Sequence, residues 1–204
     1  MAVVHGFRRF SIVRCSKTQE LVFRGQMGMH VHSNPAPSAV CRNPGSVGMW
    51  MTPAAVARNA ALTREEREHP EYETPRFDCS CGFYGYRTYN AASADSWGGF
   101  RDFLAHVTCM GEVVLHEEGF RTKRYQIDYI LRPPSMEEEL SIWTLADSPG
   151  YYTPSERLPV GQALAQVLDK LAVPMWEKED PRGCAICQSV NGWHKPEDVV
   201  EKVG

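Results

Sequence analysis

The segment His106-Val-Thr-Cys-Met-Gly-Glu-Val-Val-Leu115 is followed by the turn His116-Glu-Glu-Gly119 and then by Phe120-Arg-Thr-Lys-Arg-Tyr-Gln-Ile-Asp-Tyr-Ile-Leu131. Both long segments are rich in β-branched and aromatic residues, and the second alternates in character from one residue to the next, which is typical of strands. The polar turn between them ends in glycine, so the pattern predicts a β-hairpin. The alternation places four residues on one face: Tyr125, Ile127, Tyr129 and Leu131.

Other elements can be placed around this hairpin. Alternating segments predict further strands at 7–14, 20–25 and 81–89. Apolar residues with helical spacing predict an amphipathic helix from Val160 that ends before Pro174. We therefore expect an α+β fold, with an antiparallel β-rich core, short helices and a mainly helical or irregular C-terminal segment. The chain divides into three parts: a β-rich core domain (1–132), a Pro-rich acidic connector with little regular structure (133–159) and a helical C-terminal segment (160–204).

Composition limits the classes of function. The chain has 204 residues, 43% of them hydrophobic, and its formal net charge of −3 provides no overall basic field for nucleic acid. No apolar run approaches the roughly 20 residues that span a bilayer, so we expect no membrane partner. The N-terminus lacks the pattern of a signal peptide, which predicts a cytoplasmic location with reduced thiols. Seven cysteines, an odd number, also argue against a fully paired disulfide set.

Cys79 and Cys81 are the clearest chemical signal in the sequence. Cysteines at i and i+2 of a strand project to the same side, and Gly82 then allows the backbone to turn close to a bound atom. This arrangement favours a metal knuckle, and zinc is the expected ion. Because zinc prefers four ligands in a tetrahedron, two more must come from elsewhere in the chain.

Several completions of the zinc site remain open. Cys41 and His69 would give a site of three cysteines and one histidine, whereas Cys184 and Cys187 would give an all-cysteine site that ties the C-terminus to the core. The Cys184/Cys187 pair can instead form its own knuckle with His194, or act in thiol redox chemistry. The remaining alternative is that the cysteines are ordinary thiols with neither a metal-binding nor a redox role.

A basic stretch lies on the second strand of the predicted hairpin and just beyond it. It consists of Arg121, Lys123, Arg124 and Arg132. Tyrosines of the neighbouring predicted strand would place aromatic rings beside these cations, and such a face can bind single-stranded nucleic acid. A solvated strand face over an aromatic core accounts for the same pattern, and the negative net charge favours that simpler interpretation.

The segments Cys79-Ser-Cys-Gly-Phe-Tyr-Gly85 and Met110-Gly-Glu-Val-Val-Leu-His-Glu-Glu-Gly-Phe-Arg-Thr122 resemble a pattern in uncharacterised proteins of actinobacteria and their phages. These proteins share Cys-x-Cys-Gly, then a Gly-x-Val strand, then His-x-x-Gly-aromatic-Arg. The resemblance covers about residues 6–132 and implies a shared β-rich core that binds metal. It also favours Cys41 and His69 as the additional ligands.

These observations lead to one expected function and two alternatives. We expect a small, cytoplasmic, phage-encoded, zinc-stabilised module that binds another protein in a regulatory role and does no chemistry, because a filled tetrahedral site has no open position. The first alternative is a nucleic-acid-associated regulator that uses the basic stretch. The second is a zinc- or thiol-dependent enzyme, which requires an open metal position and a nearby base.

Overall fold

The computed structural model describes residues 4–25, 31–32, 75, 82–94, 102–116, 119–145, 152–177 and 200–202. Ten strands occur within this part of the chain: β1 (His5–Cys15), β2 (Leu21–Gly25), β3 (Val31–His32), β4 (Phe83–Tyr86), β5 (Phe103–Leu115), β6 (Gly119–Leu131), β7 (Glu139–Leu145), β8 (Tyr152–Pro159), β9 (Met175–Trp176) and β10 (Val200–Lys202). Two helices accompany them: α1 (Tyr89–Ala94) and α2 (Val160–Leu171).

The predicted hairpin is confirmed as β5 and β6, which pair antiparallel from Leu115↔Phe120 to Ala105↔Ile130. The strands predicted at 7–14 and 20–25 are confirmed as β1 and β2, which pair antiparallel. β1 also pairs with β5 and, through Phe7↔Tyr86, with β4, while β4 pairs with β6. Strands β1, β5, β6 and β4 therefore form a closed ring of four strands, which has an inner face and an outer face.

The inner face of the ring forms the main core of the protein. Phe120 lies where the ring closes and is 1% exposed. A Cβ atom on Gly6 or Gly85 would overlap the Phe120 ring, so the strands can approach each other here only because both positions are glycine. The inner face also holds an aromatic and aliphatic cluster that includes Phe10, Tyr125 and Ile127.

Helix α2 covers one end of this core, as its apolar spacing predicts. Its buried residues are Val160, Ala163, Leu164, Val167 and Leu171. The first backbone N–H groups of the helix donate to the chain before β7, from Val160 to the Glu138 carbonyl (2.9 Å) and from Gly161 to the Met136 carbonyl (2.7 Å). At the other end, Ala172 adopts the left-handed conformation (φ 52°) and terminates the helix before Pro174.

Two expectations differ from the structure. The segment 133–159 contains β7 and β8, which pair antiparallel from Glu139↔Pro159 to Leu145↔Tyr152, so it is not a connector with little regular structure. The sheet is mixed rather than purely antiparallel, because β7 runs parallel to β1 and β9 runs parallel to β6. Within the described ranges, no helix combines the length and apolarity needed to cross a membrane.

Candidate metal centre

A polar cluster lies on the outer face of the ring and draws on three strands. His5 is at the start of β1, His106 is on β5 and Asp128 is on β6. Each side chain has a potential ligand atom, and these three atoms all lie within 4.8 Å of one another. Strand pairing brings the residues together, because His5 is opposite Thr108 and His106 is opposite both Phe7 and Tyr129.

A β-bulge places both Asp128 and Tyr129 against His106. His106 pairs with Tyr129 but Val107 pairs with Ile127, so Asp128 is an extra residue on β6. Consecutive residues normally point to opposite faces, yet here both Asp128 and Tyr129 approach His106 on the outer face. The expectation that Tyr125, Ile127, Tyr129 and Leu131 share a face is therefore wrong: the first two belong to the inner core and the last two to the outer cluster.

Hydrogen bonds join the cluster into a chain. The Asp128 carboxylate only accepts, so Nδ1–H of His106 donates to its Oδ2 atom over 2.7 Å. The Thr108 hydroxyl donates to the same Oδ2 (2.8 Å) and lies 3.0 Å from Nδ1 of His5. Since the hydroxyl has only one proton, it accepts from His5 Nδ1–H. Both imidazoles therefore donate through Nδ1 in this hydrogen-bonded arrangement.

Stacked rings hold the two histidines in position. The His106 ring lies between His5 (centroids 5.4 Å apart) and Tyr129 (4.9 Å, interplanar angle 6°). Trp176 of β9 stacks on the far side of Tyr129 at 5.2 Å, and the Phe7 ring meets His106 edge-on. His106 is only 1% exposed, so this packing restricts its ring to one orientation.

The electrostatics of the cluster suit a metal ligand. Burial lowers the pKa of His5, and repulsion from His106 lowers it further, while the Asp128 carboxylate acts in the opposite direction. His5 is therefore neutral at pH 7, which is the protonation state that binds metal. Two imidazoles and one carboxylate are ligands of zinc and of other divalent transition metals.

The cysteine ligands predicted from the sequence lie outside the described residues. They are Cys41, His69, Cys79 and Cys81 of the first completion, and Cys184 and Cys187 of the second. The adjacent Gly82 is described and has φ +107°, in the region that favours glycine. Gly82 thus has a backbone conformation that favours glycine, and the predicted zinc site itself remains a prediction.

The predicted basic stretch does not form a continuous exposed surface. Arg121 is 0% exposed and its Nε–H donates to Nε2 of His116 over 3.1 Å, so it cannot contact nucleic acid from outside. Lys123 is half-buried, whereas Arg124 and Arg132 are exposed. The latter two are eight residues apart on and just beyond β6, roughly 26 Å at the rise of a strand.

The Arg121–His116 contact has an electrostatic consequence. Burial lowers the pKa of His116 to about 4, and the adjacent Arg121 guanidinium contributes to this shift. Arg121 also lies over the Tyr84 ring, with the guanidinium carbon 6.0 Å from the ring centroid. This pair is therefore part of the packed structure at neutral pH.

Sequence reasoning missed His5, His106 and Asp128. One signal was available, because Asp128 is a charged residue of a type depleted in strands, within the mainly apolar run from Ile127 to Leu131. The register counted from the turn would place it opposite Val107. The register shift between Met110 and Val113 moves it to His106, and the bulge at Asp128 then brings Tyr129 to His106 as well.

Comparisons with models of protein families, with curated proteins and with solved structures find no match to this chain. The assignment of the site therefore depends on its own geometry.

Proposed function

We propose that this protein binds a divalent transition metal ion, with zinc as the expected ion, through His5, His106 and Asp128. The observation that carries the proposal is the convergence of two imidazoles and a carboxylate, with potential ligand atoms within 4.8 Å of one another, on a rigid strand surface. Thr108 and Tyr129 support the ligands from behind, by a hydrogen bond and by ring stacking.

The distances require a small adjustment on binding. Metal–ligand bonds of about 2.0–2.1 Å place tetrahedral ligand atoms roughly 3.3 Å apart. His106 Nδ1 and Asp128 Oδ2 are only 2.7 Å apart because a hydrogen-bond proton lies between them, and metal binding by both residues would require this contact to lengthen and the proton to be released. His5 is half-buried and at the end of its strand, so its side chain can supply the remaining movement.

Three protein ligands leave at least one coordination position for water or an external ligand. Structural zinc sites are closed by four protein ligands, whereas catalytic sites keep such an open position. Of the two kinds of enzyme that the sequence analysis leaves open, this site therefore favours a zinc-dependent enzyme over a thiol-dependent one. Adding azide to the Co²⁺-loaded protein tests the open position, because a bound azide changes the visible spectrum of the cobalt ion.

The zinc-stabilised interaction module remains a compatible proposal. A cysteine site built on Cys79 and Cys81 would be a second, structural site, and a regulatory protein partner would bind the module it stabilises. The resemblance to actinobacterial and phage proteins supports that reading. A cytoplasmic location, where thiols stay reduced, also belongs to this proposal.

The decisive experiment measures the zinc content of matched variants by elemental analysis after equilibration with a limiting zinc buffer. We expect His5→Gln and Asp128→Asn to lower zinc affinity at this site by at least about 100-fold, since each removes a ligand. Cys79→Ser and Cys184→Ser serve as matched controls that leave this site intact. His5 and Asp128 are both partly exposed, so these variants disturb the core less than a change at His106.

The cobalt spectrum distinguishes the two classes of site. A nitrogen and oxygen ligand set gives weak visible bands without the intense thiolate charge-transfer band of a cysteine site. Zinc that is lost from the cysteine variants but retained in folded His5→Gln and Asp128→Asn would overturn the proposal for this cluster. The zinc affinity should fall as the pH drops below 7, because the ligands must lose protons to bind the metal. A zinc affinity that does not fall would also contradict the proposal for this cluster.

A further inference from the structure

A second site lies on the outer face of the ring, apart from the metal cluster. It is a cavity of about 440 Å³ between α1, β5, and the end of β6. This volume falls within the range of about 300–1,000 Å³ that small-molecule sites occupy. None of the described residues that line it belongs to the His5–His106–Asp128 cluster.

The cavity has an apolar wall. It is formed by Tyr89 of α1, Leu104 of β5, Leu131 of β6, and the adjoining prolines 133 and 134. Tyr89, Leu104 and Leu131 also belong to the outer aromatic cluster of the ring, which fixes their positions. A flat or branched apolar group of a ligand would therefore pack against this wall.

A buried guanidinium lies at the polar side of the cavity. Arg9 is only 10% exposed and donates from Nε to the Ala92 carbonyl (2.6 Å), from Nη2 to the Ser93 carbonyl (3.1 Å) and from Nη1 to Asp102 Oδ2 (3.3 Å). A guanidinium has five N–H groups, so two of them have no hydrogen-bond partner among the described residues. Donors held in place by three other bonds are pre-organised to bind an acceptor.

The hydrogen-bond donors around the cavity favour an anionic acceptor. Arg9 and Arg132 provide two positive charges that Asp102 and Glu177 balance, so the preference for an anion comes from their remaining N–H groups. Arg132 is at the exposed rim, where Nη1 donates to Glu177 over 2.7 Å and further N–H groups remain. A carboxylate matches the planar fork of a guanidinium, which can donate two parallel hydrogen bonds to its oxygens.

We propose that this cavity binds a small monocarboxylate with a flat apolar body, with the carboxylate at Arg9 and Arg132 and the body against Leu104 and Leu131. The site goes beyond the proposed metal function and does not depend on it. It therefore persists in the presence of a chelator.

The test is a titration of the full-length protein with 2-naphthoate in EDTA, followed by calorimetry, with 2-naphthalenemethanol as the uncharged analogue. We expect the carboxylate to bind at least about tenfold more tightly than the alcohol, because a charge-assisted hydrogen bond contributes more than a neutral one. Equal affinities, or no binding of the carboxylate, would overturn the proposal.

Variants locate the binding. Arg132→Gln should weaken 2-naphthoate binding about three- to tenfold, whereas Arg157→Gln, which makes the same charge change in an exposed ion pair with Glu139, should have no effect. Leu104→Trp should abolish binding by filling the cavity. Leu104→Trp can also disturb packing, so the decisive comparison is between Arg132→Gln and Arg157→Gln. Equal effects of these two variants on 2-naphthoate binding would refute the assignment of the site.

Discussion

The two faces of the four-stranded ring use polar residues in opposite ways. On the inner face, Arg8 is 5% exposed and lies among the rings of Phe10, Phe83 and Tyr125, with its guanidinium carbon 4.5–5.6 Å from their centroids. Its Nη1 donates to the Tyr84 carbonyl, whereas its Nε is buried without a partner among the described residues.

In the metal cluster of the outer face, polar side chains are satisfied by one another. Thr108 and Asp128 link His5 to His106, and the cluster is only partly covered. The inner cation is enclosed by packing, so no ligand can reach it. The outer groups are oriented, and His5 and Asp128 among them remain partly exposed. We infer that the inner face serves stability and the outer face serves binding, and the following predictions test that division.

The largest effect is expected for Gly85→Ala on the inner face. The new Cβ would overlap the Phe120 ring, which is 1% exposed and cannot move aside. Overpacking of this kind destabilises by about 3 kcal/mol or more. Urea denaturation of this variant should show either a large loss of stability or no folded state.

A second substitution makes the Gly85 prediction specific. Phe120→Leu creates space at the same point, so adding it to Gly85→Ala should recover at least about 1 kcal/mol relative to the sum of the single effects. Additive effects would mean that Gly85 is required for another reason.

Asp128→Asn on the outer face should have a smaller effect on folding. Measured in EDTA by urea denaturation, the loss should be about 1–2 kcal/mol, since the carboxylate accepts two hydrogen bonds and is 18% exposed. A loss as large as that of Gly85→Ala would show that the cluster is a structural element rather than a binding site.

Acid should destabilise the protein through His116. An unfolded histidine has a pKa of about 6.5, whereas folding lowers the pKa of His116 to about 4. Between these two pKa values, His116 binds a proton in the unfolded state but not in the folded state. Its contribution to the free energy of unfolding is therefore complete above pH 6.5 and is lost as the pH falls toward 4.

This pH effect should be about 1 kcal/mol between pH 7.5 and 4.5, since solvent screens the partly exposed ring. The measurement compares urea midpoints of the wild type and of His116→Gln, which retains an acceptor for Arg121. Because His5 and other groups titrate in both proteins, the difference between them isolates His116. An identical acid loss in both would contradict the prediction.

The smallest effect is expected for Arg157→Gln. The Arg157–Glu139 ion pair joins β7 and β8 at 3.6 Å, with both side chains more than half exposed. Exposed pairs of this kind contribute at most about 0.5–1 kcal/mol. A loss of more than about 1 kcal/mol in thermal unfolding would show that the β7–β8 hairpin depends on its surface charges.

Local periodicity predicted the long elements correctly. The repeating pattern of the β5–β6 hairpin lies within one continuous stretch of sequence, and so does that of helix α2. The β7–β8 hairpin was missed because Pro154 and Pro159 and the acidic run at 137–139 are typical of loops. Proline is tolerated in β8, whose one described pairing partner is β7.

The sequence by itself determined that the chain builds a β-rich core with an amphipathic helix, because those patterns act between neighbouring residues. The tertiary structure decided where the chemistry lies. His5 and Thr108 are 103 residues apart, and they meet only because β1 pairs with β5. Asp128 joins them only because an irregularity between Met110 and Val113 shifts the register of β5 against β6. Neither the strand pairing nor the register shift produces a periodic pattern in the sequence, since both depend on contacts between distant segments.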